Sequence, residues 1–309
     1  MTGINRREAL GLLAAAAFCR AYALPAAPAA ATPAVLISRR IPASGEMLPA
    51  IGLGTWQTFD VGPGRAERAP LEEVLAEFAA LGGRLIDSSP MYGRSEEVVG
   101  ELAQALGLRG KLFVATKVWT QGRSAGIRQM EDSMRKLGAR PIDLMQVHNL
   151  VDVKTHLATL REWKRAGTVR HIGITHYTAG SHDDVARVLA SEAVDFVQIN
   201  YSAAEPEAAR RLLPLAQDRG VAVIVNRPFG GGDLVRRLRN RPLPDWAAEI
   251  DCTSWAQLLL KFVIAHPAVT CAIPATSKVA HLRDNMQAGR GRLPDEKQRA
   301  QIAAAATGG

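Results

Sequence analysis

The chain has 309 residues, 47% hydrophobic and 22% charged, which are ordinary proportions for a folded globular protein and exclude a fibre or a wholly disordered chain. Its length suits one large domain or two average ones. The formal net charge of +8 comes from 38 basic against 30 acidic residues with both signs interspersed, so it argues only weakly for an anionic partner, and neither nucleic acid nor a membrane surface is expected.

The first thirty-odd residues differ in kind from the rest. Asn5-Arg6-Arg7-Glu8-Ala9-Leu10 is followed by an apolar run through Phe18. That run is too short to cross a bilayer, which takes about 20 residues. Ala21-Tyr22-Ala23 is a small-x-small triplet of the kind signal peptidase cuts. Paired arginines ahead of a moderately hydrophobic stretch resemble a twin-arginine export signal, with an ordinary Sec signal as the alternative. Cys19 follows Ala16-Ala17-Phe18 and lacks the aliphatic residue usual in lipoprotein signals. The Ala/Pro-rich stretch from Leu24 to Pro33 reads as a spacer. Residues 1–33 are therefore expected to be signal and spacer, and 34–309 a single domain. The twin-arginine machinery would deliver that domain to the periplasm or otherwise outside the cytoplasm, with no stable membrane association after processing. The mature chain would keep Cys252 and Cys271 in an oxidising compartment, and their pairing is open at this point.

From Ile51 onward short apolar runs alternate with amphipathic stretches. The predicted strands are Ile51–Trp56, Arg84–Ser88, Leu112–Val118, Ile142–His148, Val169–His176, Asp195–Tyr201, Val221–Arg227 and Val269–Pro274. They are apolar nearly throughout, as strands buried on both faces are. Between them the period becomes 3.6. Pro70 is expected to open a helix with Leu71, Val74, Leu75 and Phe78 as its stripe and Gly82 past its end. Ser95 is expected to cap the next and Thr155 a later one, with further helices over Glu205–Arg219, Ser254–His266 and Val279–Gly289. Eight β-then-α units in about 240 residues is the arithmetic of a (β/α)8 TIM barrel, class α/β. A doubly wound sheet is the rival, but Gly52-Leu53-Gly54 falls inside the first strand with no third glycine at the fingerprint spacing. Val35–Ser38 and Met47–Ala50 should form an N-terminal β-hairpin across Gly45 that closes the barrel floor.

Barrel chemistry sits at the C-terminal ends of the strands. Those ends carry Asp87, with Tyr92 in the following loop, then Lys117 and His148. Asp87 and Lys117 are surrounded by apolar residues, and a lone buried charge costs several kcal/mol, so adjacent strands should pair them. An ammonium beside a tyrosine is expected to lower the phenol from its usual value of about 10. His148 could hold a substrate carbonyl while Tyr92 donates a proton. Singly, each has a plainer reading: a structural ion pair, a loop aromatic, a core-edge histidine. Four together in strand order favour chemistry. His171, His176 and His182 cluster in sequence, but without an HxH at a strand end or an HExxH, so no metal is expected.

These residues lie in a longer pattern. Gly52-Leu53-Gly54-Thr55-Trp56, then Ile86-Asp87-Ser88-Ser89-Pro90-Met91-Tyr92-Gly93-Arg94-Ser95-Glu96-Glu97-Val98-Val99-Gly100, resemble the signature of the aldo-keto reductases. Ala115-Thr116-Lys117-Val118-Trp119 and Asp143-Leu144-Met145-Gln146-Val147-His148 extend the resemblance, which runs from about Leu36 to Gln287. It implies an NAD(P)-dependent enzyme that reduces an aldehyde or ketone or runs the reverse oxidation. Tyr92 would be general acid, Lys117 and Asp87 would tune it, and His148 would orient the carbonyl. It also implies that Gln198 binds the nicotinamide carboxamide with help from Thr175, and that Tyr201 stacks on the ring. Thr276, Ser277, Lys278 and Asn285 would hold the adenosine phosphate and adenine, NADP being expected and NAD possible. A non-catalytic nicotinamide-binding barrel, serving as a sensor or partner-binding protein, is the alternative.

Three departures from the family pattern matter. Thr175-His176 stands where many members have Ser-Asn. Ala275 and His281 stand where many place basic residues near the 2′-phosphate, which makes a weak or pH-dependent NADPH preference the expectation, with Lys278 or Arg283 as compensation. Gly230-Gly231-Gly232 followed by Arg236, Arg237, Arg239 and Arg241 could be a basic flap over the cofactor or a solvated helix. Trp56, Phe59, Met91, Trp119 and Phe229 suggest an apolar-walled pocket for a small carbonyl substrate.

Overall fold

The computed structural model describes residues 35–308. The readings placed on 1–33, including the export signal, Cys19 and the spacer, lie outside the described residues.

Strands β1 (Ser38–Arg40) and β2 (Met47–Pro49) pair antiparallel across Gly45. Eight parallel strands follow among the described residues: β3 (Leu53–Gly54), β4 (Leu85–Asp87), β5 (Phe113–Val118), β6 (Ile142–His148), β7 (Val169–Thr175), β8 (Phe196–Asn200), β9 (Ala222–Asn226) and β10 (Val269–Ala272). Each pairs with the next, and parallel bridges Ile51–Ala272 and Gly54–Ala275 close the ring. A Cβ on Gly54 would lie 2.8 Å from the Ile273 carbonyl, so the closing seam has no room for a side chain. The helices are α1 (Arg65–Ala80), α2 (Ser95–Ala105), α3 (Arg123–Leu137), α4 (Val153–Arg165), α5 (His182–Ser191), α6 (Leu212–Asp218), α7 (Asp233–Leu238), α8 (Trp255–Ile264), α9 (Val279–Gln287) and α10 (Glu296–Thr307). This is the expected (β/α)8 barrel.

Alternation along the strands sorts the apolar residues into two cores. Leu85, Phe113, Leu144, Phe196, Ile224 and Cys271 point inward and meet Ile41 and Leu48 of the hairpin in one cluster. The hairpin therefore plugs the barrel floor, and each of its two large side chains contributes roughly 1.5–3 kcal/mol by burial. The alternate strand residues, such as Val114, Val147 and Ile174, pack outward against the helices.

Several helix ends differ from expectation. Helix α1 begins at Arg65, and Pro70 lies inside it at an exposed position. Ser95 is fully buried as the first residue of α2, and its hydroxyl faces the Thr55 carbonyl instead of the helix end. Thr155 lies within α4, whose cap position is Asp152. Ser254 does cap α8, accepting from the Gln257 N–H at 3.1 Å. The Glu205–Arg219 stretch divides into a short 3-10 turn at Glu207–Arg210 and α6. Cys271 lies inside the barrel and Cys252 in the outer layer, both buried and free, so they do not pair in this fold. Burial pushes the Cys252 thiol up to about 11 and Cys271 higher still. No helix among the described residues is long and apolar enough to cross a membrane.

Candidate active site

The upper inner layer of the barrel is polar where the lower layer is apolar. The same alternation that buries Leu85, Phe113 and Leu144 brings Asp87, Lys117, Gln146 and His148 inward two or four residues further along their strands. Lys117 and Gln146 are register partners, as are His148 and Thr175, and Thr175 and Gln198. Lys117 is fully buried, and its Nζ donates to Asp87 Oδ2 at 2.6 Å and to the Ser88 carbonyl at 2.7 Å. Asp87 Oδ1 accepts from the amides of Gln198 at 2.8 Å and Gln146 at 3.2 Å. The carboxylate is thus compensated on both oxygens, which a buried charge requires. Burial works against the Lys117 charge, but Asp87, Tyr92 and their hydrogen bonds outweigh it and hold the ammonium above its ordinary value.

Tyr92 reaches this pair from the loop between β4 and α2. Gly93 turns the chain with φ +58°, and a side chain there would strike the Asp60 carboxylate, which accepts from the Arg94 N–H at 2.9 Å. The turn sets the Tyr92 ring with its centroid 5.0 Å from Lys117 Nζ and edge-on to His148, centroids 6.0 Å apart. The expected lowering of the phenol is corrected here. Burial dominates and raises it, Lys117 pulling the other way and Asp87 adding to the rise. A raised value suits a proton donor, because the phenol stays protonated at neutral pH. His148 is pushed down to about 3 by burial, then by Lys117 and His176, so its imidazole is neutral. Its Nδ1 lies 3.1 Å from the Ser89 hydroxyl.

Asp87, Tyr92, His148, Thr175 and Gln198 line one cavity of about 460 Å³ at this end of the barrel. That is the usual size for a small-molecule site. Its mouth is apolar, formed by Trp56, Met91, Tyr177 and Phe229. Phe59, expected in the wall, belongs to the outer core, and Trp119 is an exposed residue outside the lining. The opposite wall carries Asn226, Arg227 and the Gly231-Gly232 backbone. Asn226 Oδ1 and Arg227 Nε are buried there without a hydrogen-bond partner among the described residues, so this part of the lining has unused hydrogen-bonding capacity. Such a wall fits a polar, flat-ringed cofactor.

The cofactor residues proposed from sequence fall in three groups. Thr175 and Gln198 are at the cavity, joined by a 3.3 Å hydrogen bond. Gln198 also serves Asp87, a role its strand position alone does not reveal. Thr276, Ser277 and Lys278 form the turn that enters α9, just beyond the lining residues Ile273, Pro274 and Ala275, and Asn285 is buried further along the helix. Tyr201 is not at the cavity. It lies three residues after inward-facing Gln198, hence on the opposite face of the strand line. Its ring packs on Phe262 and His266 outside the barrel, and its hydroxyl accepts from Arg299 at 2.6 Å. Arg283 is paired with Glu77 of α1 at 2.7 Å, and His281 is exposed. None of the four arginines after Gly232 lines the cavity: Arg236 pairs with Asp233, while Arg237 and Arg241 donate to the Ala306 and Ala305 carbonyls of α10. The three clustered histidines part company: His171 lies among Phe113 and Phe196 near the floor, His182 bonds Asn200, and His176 accepts from the Tyr177 N–H.

A closed (β/α)8 barrel with a buried lysine–aspartate pair, a tyrosine and a neutral histidine around one rim cavity defines a class, the barrel oxidoreductases of carbonyl compounds. The aldo/keto reductase family model matches residues 50–306, and the chain belongs to that family. It is an NAD(P)-dependent oxidoreductase. Methylglyoxal reductase YeaE of Escherichia coli K12 is 29% identical over 250 residues, 78% of this chain and 86% of that one. An aldo-keto reductase of Mycobacterium sp. strain KMS is 30% identical over 228 residues, 71% and 76% of the two chains. Among solved structures, an aldo-keto reductase of Klebsiella pneumoniae in complex with NADPH superposes with a TM-score of 0.73 at 26% identity, covering 88% of this chain and 96% of that one. A Klebsiella pneumoniae aldo/keto reductase in complex with NADP and acetate gives 0.71 at 25% identity with the same coverage.

Proposed function

We propose that the chain reduces a small aldehyde or ketone with NADPH, Tyr92 giving its phenolic proton to the carbonyl oxygen and His148 holding that oxygen. The observation that carries this is the convergence of the Lys117–Asp87 pair, Tyr92 and His148 on one cavity. The bound cofactor supplies the hydride. Tyr92 stands above an ammonium that favours negative charge on its oxygen as the proton leaves. Asp87 keeps that ammonium in place, and Gln146 and Gln198 keep Asp87 in place. Neutral His148 can donate one hydrogen bond to the carbonyl without adding a charge. The apolar mouth excludes water and suits a substrate with a short hydrocarbon part. Consumption of NADPH across a series of carbonyl compounds tests the reading, beginning with methylglyoxal, the compound for which YeaE is named. NADPH binding without turnover of any of them would favour the non-catalytic barrel.

In this reading Thr175 and the Gln198 Oε1 meet the nicotinamide carboxamide, and Thr276, Ser277, Lys278 and Asn285 hold the adenosine phosphate and adenine, supported by the lining of the cavity and the turn just beyond it. With Arg283 tied to Glu77, exposed Lys278 is the cation best placed to prefer the 2′-phosphate. Lys278→Ala is expected to weaken NADPH binding about tenfold or more, since a charged hydrogen bond is worth roughly 1.5–3 kcal/mol, and to leave NADH nearly unaffected. Fluorescence titration of both cofactors measures it. Unchanged NADPH affinity would assign the phosphate to other groups.

The proposal extends to where the enzyme works. Nicotinamide cofactors are made and recycled in the cytoplasm, and a Sec substrate crosses unfolded and would arrive empty. Export of folded protein, for which Arg6-Arg7 ahead of the apolar run is the support, lets the cofactor travel in the cavity. Replacing both Arg6 and Arg7 with Lys should stop export, and protein recovered gently from the periplasm should contain nucleotide. Mature protein reaching the periplasm without the arginines would defeat the twin-arginine route, and an empty cavity would defeat the loading.

A further inference from the structure

Ser89 is a buried polar residue at the site that the chemistry above does not use. It follows β4 by two residues and is fully buried. Its carbonyl accepts from the Tyr92 N–H at 3.0 Å, so it belongs to the turn that carries the tyrosine. Its hydroxyl lies between two partners, the Met91 N–H at 3.2 Å and His148 Nδ1 at 3.1 Å.

The two contacts together select one arrangement. A backbone N–H only donates, so Oγ accepts from Met91. The hydroxyl has one proton of its own, and Nδ1 is the acceptor that the structure offers it among the described residues. A neutral imidazole whose Nδ1 accepts carries its proton on Nε2. Nε2 has no partner among the described residues, and His148 lines the cavity. The ring therefore presents an N–H to whatever oxygen occupies that space. The opposite tautomer would aim a lone pair at the oxygen and leave the buried serine proton without an acceptor.

We propose that Ser89 is a positioning residue: its hydroxyl, oriented by the Met91 N–H, holds His148 as the Nε2–H tautomer and so makes the imidazole a donor to the substrate carbonyl. This builds on the role of His148 as the group that holds that oxygen. The Ser89→Ala variant frees the tautomer, and kcat/KM for carbonyl reduction should fall about tenfold, the scale of one lost hydrogen bond to a buried group. NADPH affinity should not change, because the cofactor wall is untouched. Ser89→Thr keeps a hydroxyl and should retain most of the activity.

Heteronuclear NMR of histidine-labelled protein with NADP bound reads the tautomer directly. The wild type should show His148 protonated on Nε2, and Ser89→Ala a mixture or the reverse. Protonation on Nδ1 in the wild type, or an unchanged tautomer in Ser89→Ala, overturns the proposal. A His148→Gln control separates this from the reading beneath it. If that variant turns over like the wild type, His148 does not hold the carbonyl, and the proposal falls through its premise even where the tautomer responds to Ser89.

Discussion

Tyr92→Phe should lower kcat for carbonyl reduction by at least the roughly 10²-fold typical of losing a general acid, with NADPH affinity little changed. Phenylalanine keeps the ring that lies 5.0 Å from Lys117 Nζ and edge-on to His148, and removes only the hydroxyl. The loss should therefore fall on the chemical step and not on the fold. The direction of the Tyr92 shift adds a pH signature. Burial holds the phenol above its ordinary value, so reduction should be flat through neutral pH and decline only in alkaline solution as the proton is lost. Alcohol oxidation, which needs the deprotonated group as base, should rise over the same range. Steady-state rates in both directions over a pH series decide it. Wild-type-like turnover of the variant would remove Tyr92 from the mechanism.

Lys117→Met should be as damaging to activity and should also destabilise the protein. The substitution preserves the length of the stem but leaves Asp87 buried with only the amides of Gln198 and Gln146. Removing one partner of a buried pair costs about 3–5 kcal/mol. The double variant Lys117→Met with Asp87→Asn should recover much of that stability, because no uncompensated charge remains, yet stay inactive. Recovery of activity in the double variant would show that the pair is structural only. Lys117 is held above its ordinary value, so the stability it contributes is complete below the unfolded lysine value of about 10.4 and is lost as pH rises through the folded one. The difference in Tm between wild type and variant should accordingly be constant at neutral pH and shrink only in strong alkali.

Much of the site is legible in sequence because alternation along a strand is a local property. Once Leu85, Phe113 and Leu144 are taken as inward, Asp87, Lys117 and His148 must share their face. The same count would have found Gln146, two residues before His148, and Asn226, two after Ile224, both missed because neither is chemically conspicuous. It would also have rejected Tyr201, which lies an odd number of residues from Gln198 and so falls outside the barrel. The loops were less legible. Tyr177 and Arg227 reach the cavity from segments whose paths are set by packing and not by a period. Helix starts were misjudged at Pro70, Ser95 and Thr155, where a residue with a local preference for a helix end was overridden by where the chain had to turn.

By itself the sequence determined the alternation of apolar strands and amphipathic helices, the barrel that follows from it, and the three polar side chains Asp87, Lys117 and His148 on the inward face of the strands. Each rests on periodicity and on the cost of burying an unpaired charge. Only the tertiary structure decided how those groups are poised. Gln198 supports Asp87 across 111 residues of chain, and Ser89 meets His148 across 59. Whether Lys117 or burial prevails at Tyr92 likewise depends on how closely a loop seats the ring among neighbours from other strands. Such balances are sums over atoms brought together through space, and they acquire a sign only when the barrel has closed around them.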